Sequence, residues 1–341
     1  MAFNPVVVAA KVNKPPWYLD TARYAKPDMR SALWQLLSTV ISYAVLLTLM
    51  ITTVQRGYPY PVTLVLAVVT AALFARIFIF FHDCTHGSFL PSPRLNRNVG
   101  YFCGILTFTA FHDWRRSHAG HHITVGDLDR RGIGDITVMT VDEYLAAPFI
   151  KRISYRLYRH PLIMFGIGPL YYFLIRNRYS SKGAKKMDII SVIFTNLAIV
   201  AIATVASLTI GFKTYVLVQL PVLMIAATFG IWLFYIQHQF EEVYWTRHEA
   251  WDPWRAALEG ASFYKLPKLM QWISGNIGFH HVHHVRTAIP NYRLQQCYEE
   301  VPQLQEARAI TILASLKSLR LHLYDEAAKK MVSFHSLKSR C

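Results

Sequence analysis

The chain has 341 residues, of which 53% are hydrophobic and 16% charged, and its formal net charge is +16. That balance excludes a disordered or strongly solvated chain and points to a membrane protein. The positive charge comes without an aromatic RNA-binding signature among the basic residues, so no nucleic-acid partner is expected.

In chain order, residues 1–31 are polar and basic, broken by Pro15, Pro16 and Pro27, and read as a tail with at most a short helix. Its one apolar run, Val6 to Ala10, is too short for a signal-peptide core, so the first span is expected to do the targeting. Residues 32–51 and 62–81 each supply 20 mostly apolar positions. At about 1.5 Å per residue, each matches a hydrocarbon core of about 30 Å. Residues 189–210 and 216–237 form a second such pair. The expected fold is an all-α integral membrane protein of four spans in two hairpins, forming one domain over 1–341 with a helical cap from 82–188 and 238–341. Arg76, near the end of the second span, is expected to snorkel to the interface. The loops 52–61 and 211–215 carry one basic residue each, Arg56 and Lys213, while the tail, the central segment and the C-terminal region hold nearly all the rest. This asymmetry predicts that both termini and the cap are cytoplasmic.

Three histidine clusters lie outside the spans or at their ends: HDCTH (82–86), HAGHH (118–122) and FHHVHH (279–284). Their spacing is i, i+4 for His82 and His86, and i, i+3, i+4 for His118, His121, His122 and for His280, His283, His284. Such positions share one face of a helix, so the rings can converge. Eight neutral nitrogen donors exceed one tetrahedral ion and suit two metals; imidazole alone does not choose between zinc and iron. His238 leaves the fourth span on the same side, either as a ninth ligand or as a polar helix end. Glu241 and Glu242, at i+3 and i+4 from it, are expected to orient a ligand ring.

Elsewhere, residues 99–111 are too short to cross a bilayer and read as a re-entrant or interfacial piece. Residues 126–135 read as a structured loop, and 142–160 as a basic amphipathic segment suited to headgroups or to a solvated cap. Residues 162–175 are another short apolar run, interfacial or buried, and 305–333 are expected to form a helix on the cap. No CxxC pair, HExxH, Glu-x-x-His or GxSxG pattern occurs. Redox-dithiol, zincin, carboxylate-bridged di-iron and lipase chemistries are therefore disfavoured.

HDCTHGSF, HAGHH, HQFEE after a span and GNIGFHHVHH resemble the histidine boxes of the membrane-bound fatty acid desaturase superfamily, most closely its acyl-lipid delta-12 type branch. The likeness covers box order, box spacing and both hairpins. It implies two non-haem iron ions with dioxygen as co-substrate, a lipid acyl substrate, and electrons from ferredoxin or a cytochrome b5 type donor. It also implies the ligands His82, His86, His118, His121, His122, His280, His283 and His284, with His238 as a further one. Asn276, four residues before His280, would support the centre through water or by holding a ligand if its segment is helical; His281 lies off the ligand face. Box one has Thr85 where the delta-12 type often has glycine, which touches regiochemistry more than the metal site. No HPGG motif is present, since Leu162 and Ile163 follow His160 and Pro161, so the donor is expected to be a separate protein. A related hydroxylase, epoxygenase or carotenoid-modifying oxygenase has similar boxes. A metal transporter or sensor fits less well, because only Arg76 is ionisable within a span.

Overall fold

The computed structural model of the protein describes residues 14–339, so residues 1–13 of the expected tail and Cys341 lie outside the described residues. The described part of the tail contains one short helical segment, Trp17–Asp20, running on into Thr21–Tyr24.

Among the described residues, four helices are long and apolar enough to cross a membrane: α1 (Met29–Gln55), α2 (Tyr60–His86), α6 (Lys186–Ile210) and α7 (Phe212–His238). Each outlasts the apolar run that marks it in the sequence, because the helix continues into polar residues at its end. Asp28 caps α1 by accepting from the Ser31 amide at 2.7 Å. Pro61 opens α2 and Gly87, at φ +74°, closes it in the left-handed conformation that glycine tolerates best. α2 is the central helix: 61% of its apolar window is buried, against 17% for α1 and α6. The exposed faces of α1 and α6 carry rows of Leu, Ile and Val, a pattern suited to lipid. Arg76 turns inward instead of snorkelling. It is 3% exposed, donates to Thr39 Oγ1 at 3.3 Å and to the Trp272 carbonyl, and lies 4.3 Å from the Trp272 ring centroid.

Between α2 and α6 the apolar stretch 99–111 divides into two helices, α3 (Pro93–Leu106) and α4 (Phe111–Thr124). The break lies at Phe108, whose φ of 57° is costly for a bulky residue. Its carbonyl is held by Arg178 and, at 3.3 Å, by Asn177 Nδ2. This turn aims α4 across the end of the bundle. α5 (Phe149–Tyr158) follows; of the π-helical turns at Leu162–Ile167 and Tyr171–Ile175, the first packs along α7 and the second brings Phe173 against Phe78 of α2.

Beyond α7 come α8 (Lys268–Ile273), α9 (His280–Val285) and α10 (Asn291–Glu300). The helix expected over 305–333 does not form. Strand β1 (Met139–Thr140) pairs in parallel with β4 (Leu323–Asp325), which pairs antiparallel with β5 (Lys330–Val332), while β2 (Phe263–Lys265) and β3 (Ala309–Thr311) pair in parallel. Leu323, Tyr324 and Asp325 are buried consecutively, which a helix exposing one face to water cannot supply.

Candidate metal centre

The last turn of α2, the middle and end of α4, the end of α7 and all of α9 meet at one end of the bundle. Nine imidazoles converge there in two groups. His82, His86, His118, His122 and His283 form the first, and His121, His238, His280 and His284 the second; within each group the ligand atoms lie within 4.8 Å of one another. α4 and α9 each serve both groups. The i, i+4 pair of α4 (His118, His122) faces the first and its odd member, His121, the second. α9 does the reverse, sending His280 and His284 to the second group and His283 to the first.

In the second group, His238 Nε2 is 3.1 Å from His121 Nε2 and 2.9 Å from His280 Nε2, which is 3.0 Å from His284 Nε2. In the first, His122 Nε2 is 3.1 Å from both His118 Nε2 and His283 Nε2. Two nitrogens bound at about 2.1 Å to one ion are about 3.0 Å apart at right angles and about 3.4 Å apart at the tetrahedral angle. The spacings are of the size that donors sharing one ion have. Neutral donors are required, and burial supplies them: it holds His118, His122, His280, His283 and His284 well below the usual histidine range, with neighbouring histidines adding to the effect. Nε2 of His82 and of His86 is buried and takes no hydrogen bond from the described residues. Orphaned nitrogens cost free energy in a protein interior unless something such as a metal satisfies them. The donor set fits two metal ions.

Three of the outer ring nitrogens are held as metal ligands require, whereas Nδ1 of His122, His280 and His283 is buried and takes no hydrogen bond from the described residues. His82 Nδ1 lies 3.1 Å from Asp83 Oδ1, and Asp83 Oδ2 accepts from the backbone and side chain of Asn291 at 2.7 and 2.9 Å. Asp135 binds His121 Nδ1, placed there by a loop in which Gly134 has φ +70°. His238 Nδ1 donates to the Gly260 carbonyl at 3.0 Å. With Nδ1 donating, Nε2 is the free donor facing each group.

Glu241 and Glu242 are not part of this ring of support. α7 ends at His238, and Gln239, with φ −133°, has left the helix, so i+3 and i+4 no longer share its face. Their carboxylates lie at the surface, 4.0 Å from Lys330 and 3.0 Å from Arg308. Asn276 is likewise not helical. It occupies a turn at φ 59° before α9 and donates to the Asn291 carbonyl at 3.2 Å, supporting Asp83 and His82 at one remove. His281 points away from both groups, between Phe263 and Tyr298, and burial pushes its pKa down to about 4.

Three aromatic residues precede ligand-group histidines by four positions: Phe78 before His82, Trp114 before His118 and Phe234 before His238. Trp114 stacks on His118 at 4.2 Å, Phe78 meets Trp114 edge-on at 5.6 Å, and Phe234 lies 5.1 Å from His121 and 5.2 Å from His238. Each is one helical turn earlier than its histidine, so on α2 and α7 they flank the centre on the side of the spans. The sequence signal was there, an aromatic at i−4 from one histidine in each of three helices. So was the Asp beside His82.

Comparison with known proteins agrees with this geometry. The sequence model of the family described as fatty acid desaturase matches residues 59–314. A fatty acid desaturase of Bacillus subtilis (strain 168) is 45% identical over 94% of this chain and 90% of its own length. An sn-1 oleoyl-lipid 12-desaturase of Synechocystis is 27% identical over 75% of this chain and 74% of its own. An sn-1 acyl-lipid omega-3 desaturase (ferredoxin) of the same organism is 26% identical over 68% and 65%. The likeness runs through both hairpins and the histidine-bearing helices between and after them, and on it the chain belongs to the fatty acid desaturase family, as a membrane-bound oxidoreductase.

Proposed function

We propose that the chain desaturates an acyl chain carried by a membrane lipid, with two iron ions held by the nine histidines. The observation that carries this reading is the division of nine imidazoles into adjoining groups of five and four at the ends of two apolar helices. Bound there, an iron pair supplies dioxygen-dependent oxidation: R–CH2–CH2–R′ + O2 + 2e− + 2H+ gives R–CH=CH–R′ + 2H2O. The chain's own residues supply the rest. Asp83, Asp135 and the Gly260 carbonyl fix His82, His121 and His238 so that these three present Nε2. Phe78, Trp114 and Phe234 form an apolar wall on the span side, against which a methylene chain is held close to the centre while water is excluded.

The basic distribution of the loops supports a cytoplasmic placement of both termini and of the centre. Two electrons then come from a separate donor of the ferredoxin or cytochrome b5 type, an acidic protein of the kind a basic cytoplasmic face attracts; one relative's name specifies ferredoxin.

The test is mass spectrometry of fatty acids, with double bonds located by derivatisation, from a host expressing the wild type beside His283→Ala. A new double bond found only with the wild type is expected. Oxygenated chains in its place would assign the centre to a hydroxylase or epoxygenase.

A further inference from the structure

The segments around α8 and after β3 form a surface that neither the histidine centre nor the hairpins explain. β2 and β3 hold them side by side, with Lys265 opposite Thr311. Leu269 and Trp272 on α8 are 68% and 47% exposed, and Leu313 and Leu316 beyond β3 are 79% and 51% exposed. Interspersed with them are four exposed cations, Lys265, Lys268, Lys317 and Arg320. The sequence has no Asp or Glu between 260 and 298 or between 307 and 324, and none of the four cations has an ion-pair partner among the described residues. Elsewhere on the cap Arg247 pairs with Asp129 and Glu326, Arg255 with Glu259, and Arg308 with Glu242, while exposed Arg94, Arg97, Arg115 and Arg156, like the four cations here, have no ion-pair partner among the described residues. What sets this surface apart is that its cations stand among exposed leucines and a tryptophan with no carboxylate in either segment.

The depth of this surface is set by its attachments to the spans. Arg76 of α2 binds the Trp272 carbonyl, and Trp232 of α7 donates to Tyr264 Oη at 3.3 Å, which in turn bonds Ser315 Oγ at 3.0 Å. Arg76 lies ten residues before the end of α2 and Trp232 six before the end of α7, or about 15 and about 9 Å along the helices. Gly275, just after α8, backs onto Ile79, where an added Cβ would lie 2.8 Å from the isoleucine side chain. The surface therefore flanks the last turns of the spans and is continuous with their lipid-facing belt. Leucine and tryptophan at such a level enter the acyl boundary, while lysine and arginine extend to the headgroups.

We propose that this surface is a docking site for anionic phospholipid headgroups of the leaflet on the histidine side. It presents lipid phosphate with cations that no carboxylate competes for, and it seats the bilayer beside the end of α7 that leads to the centre. A soluble acidic protein is a poorer fit, since it would have to cover leucines already at the depth of the bilayer. The inference rests on the membrane placement given under the proposed function, and its test is read without turnover.

The test uses the full chain purified in detergent with mixed phosphatidylglycerol and phosphatidylcholine, and native mass spectrometry counts the lipids retained. The wild type is expected to hold phosphatidylglycerol in preference. The Lys265→Gln/Lys268→Gln/Lys317→Gln/Arg320→Gln variant is expected to lose that retention by about tenfold or more, with phosphatidylcholine retention and metal content unchanged. The double variant Lys268→Gln/Lys317→Gln, expected to show a smaller loss of the same sign, serves if the quadruple variant does not fold. Equal retention by wild type and variants overturns the proposal. So does parallel loss of both lipids, which would make the surface merely apolar, or a loss of affinity for an acidic electron donor with lipid retention intact. Retained anionic lipid in a chain that forms no double bond would overturn the desaturase reading and leave this one standing.

Discussion

The two histidine groups share α4 and α9 and differ in their third helix, α2 for the first and α7 for the second. The first gathers five rings, with Asp83 orienting His82 and the Asn291–Asn276 chain behind it; the second gathers four, with Asp135 and the Gly260 carbonyl as its supports. The lesson is that the second group has less redundancy, since losing one ring leaves it three donors where the first keeps four.

That comparison breaks most sharply under alanine. His238→Ala is expected to hold no more than one metal ion per chain and to lose activity by more than about a hundredfold, whereas His86→Ala holds nearer two; elemental analysis beside turnover decides it. Next come the orienting carboxylates. Asp135→Asn and Asp83→Asn should each weaken metal binding by about 10–100-fold, measured by competition with a chelator, with the loss falling on the second and first group respectively. A smaller effect comes from pH. The buried histidines outside the spans stay neutral when folded, while the unfolded chain takes up protons below about pH 6.5. The metal-free protein should therefore hold its stability above that pH and lose it as pH falls toward 5.5; Tm in nanodiscs unchanged across that range would contradict it. Smallest of all, Glu241→Gln/Glu242→Gln should change metal content less than about twofold, because both groups are surface ion pairs.

The four spans were legible because apolar runs of bilayer length have few other uses, and the converging histidines because three clusters repeat helical spacing. How they divide was not legible. Spacing tells which rings share a helix face, but α4 and α9 lie between the two groups, and only tertiary placement decides which ring turns which way. Glu241, Glu242 and Asn276 were each assigned by helical spacing across a boundary, since α7 stops at His238 while α9 starts only at His280; the two carboxylates therefore lie at the surface, and Asn276 gives its support through Asn291. The strands after 308 were hidden because pairings of two or three residues, two of them with partners far away in the chain, leave almost no local pattern.

The sharing of α4 and α9 between the two groups has a consequence for assembly. A helix that has turned to present His118 and His122 to one ion has already set the azimuth of His121 for the other, and α9 couples them in the opposite sense. Filling the first position thus prepays much of the ordering entropy of the second. Metal uptake should be cooperative, with a titration steeper than that of two independent sites and little of the half-loaded protein at any point along it.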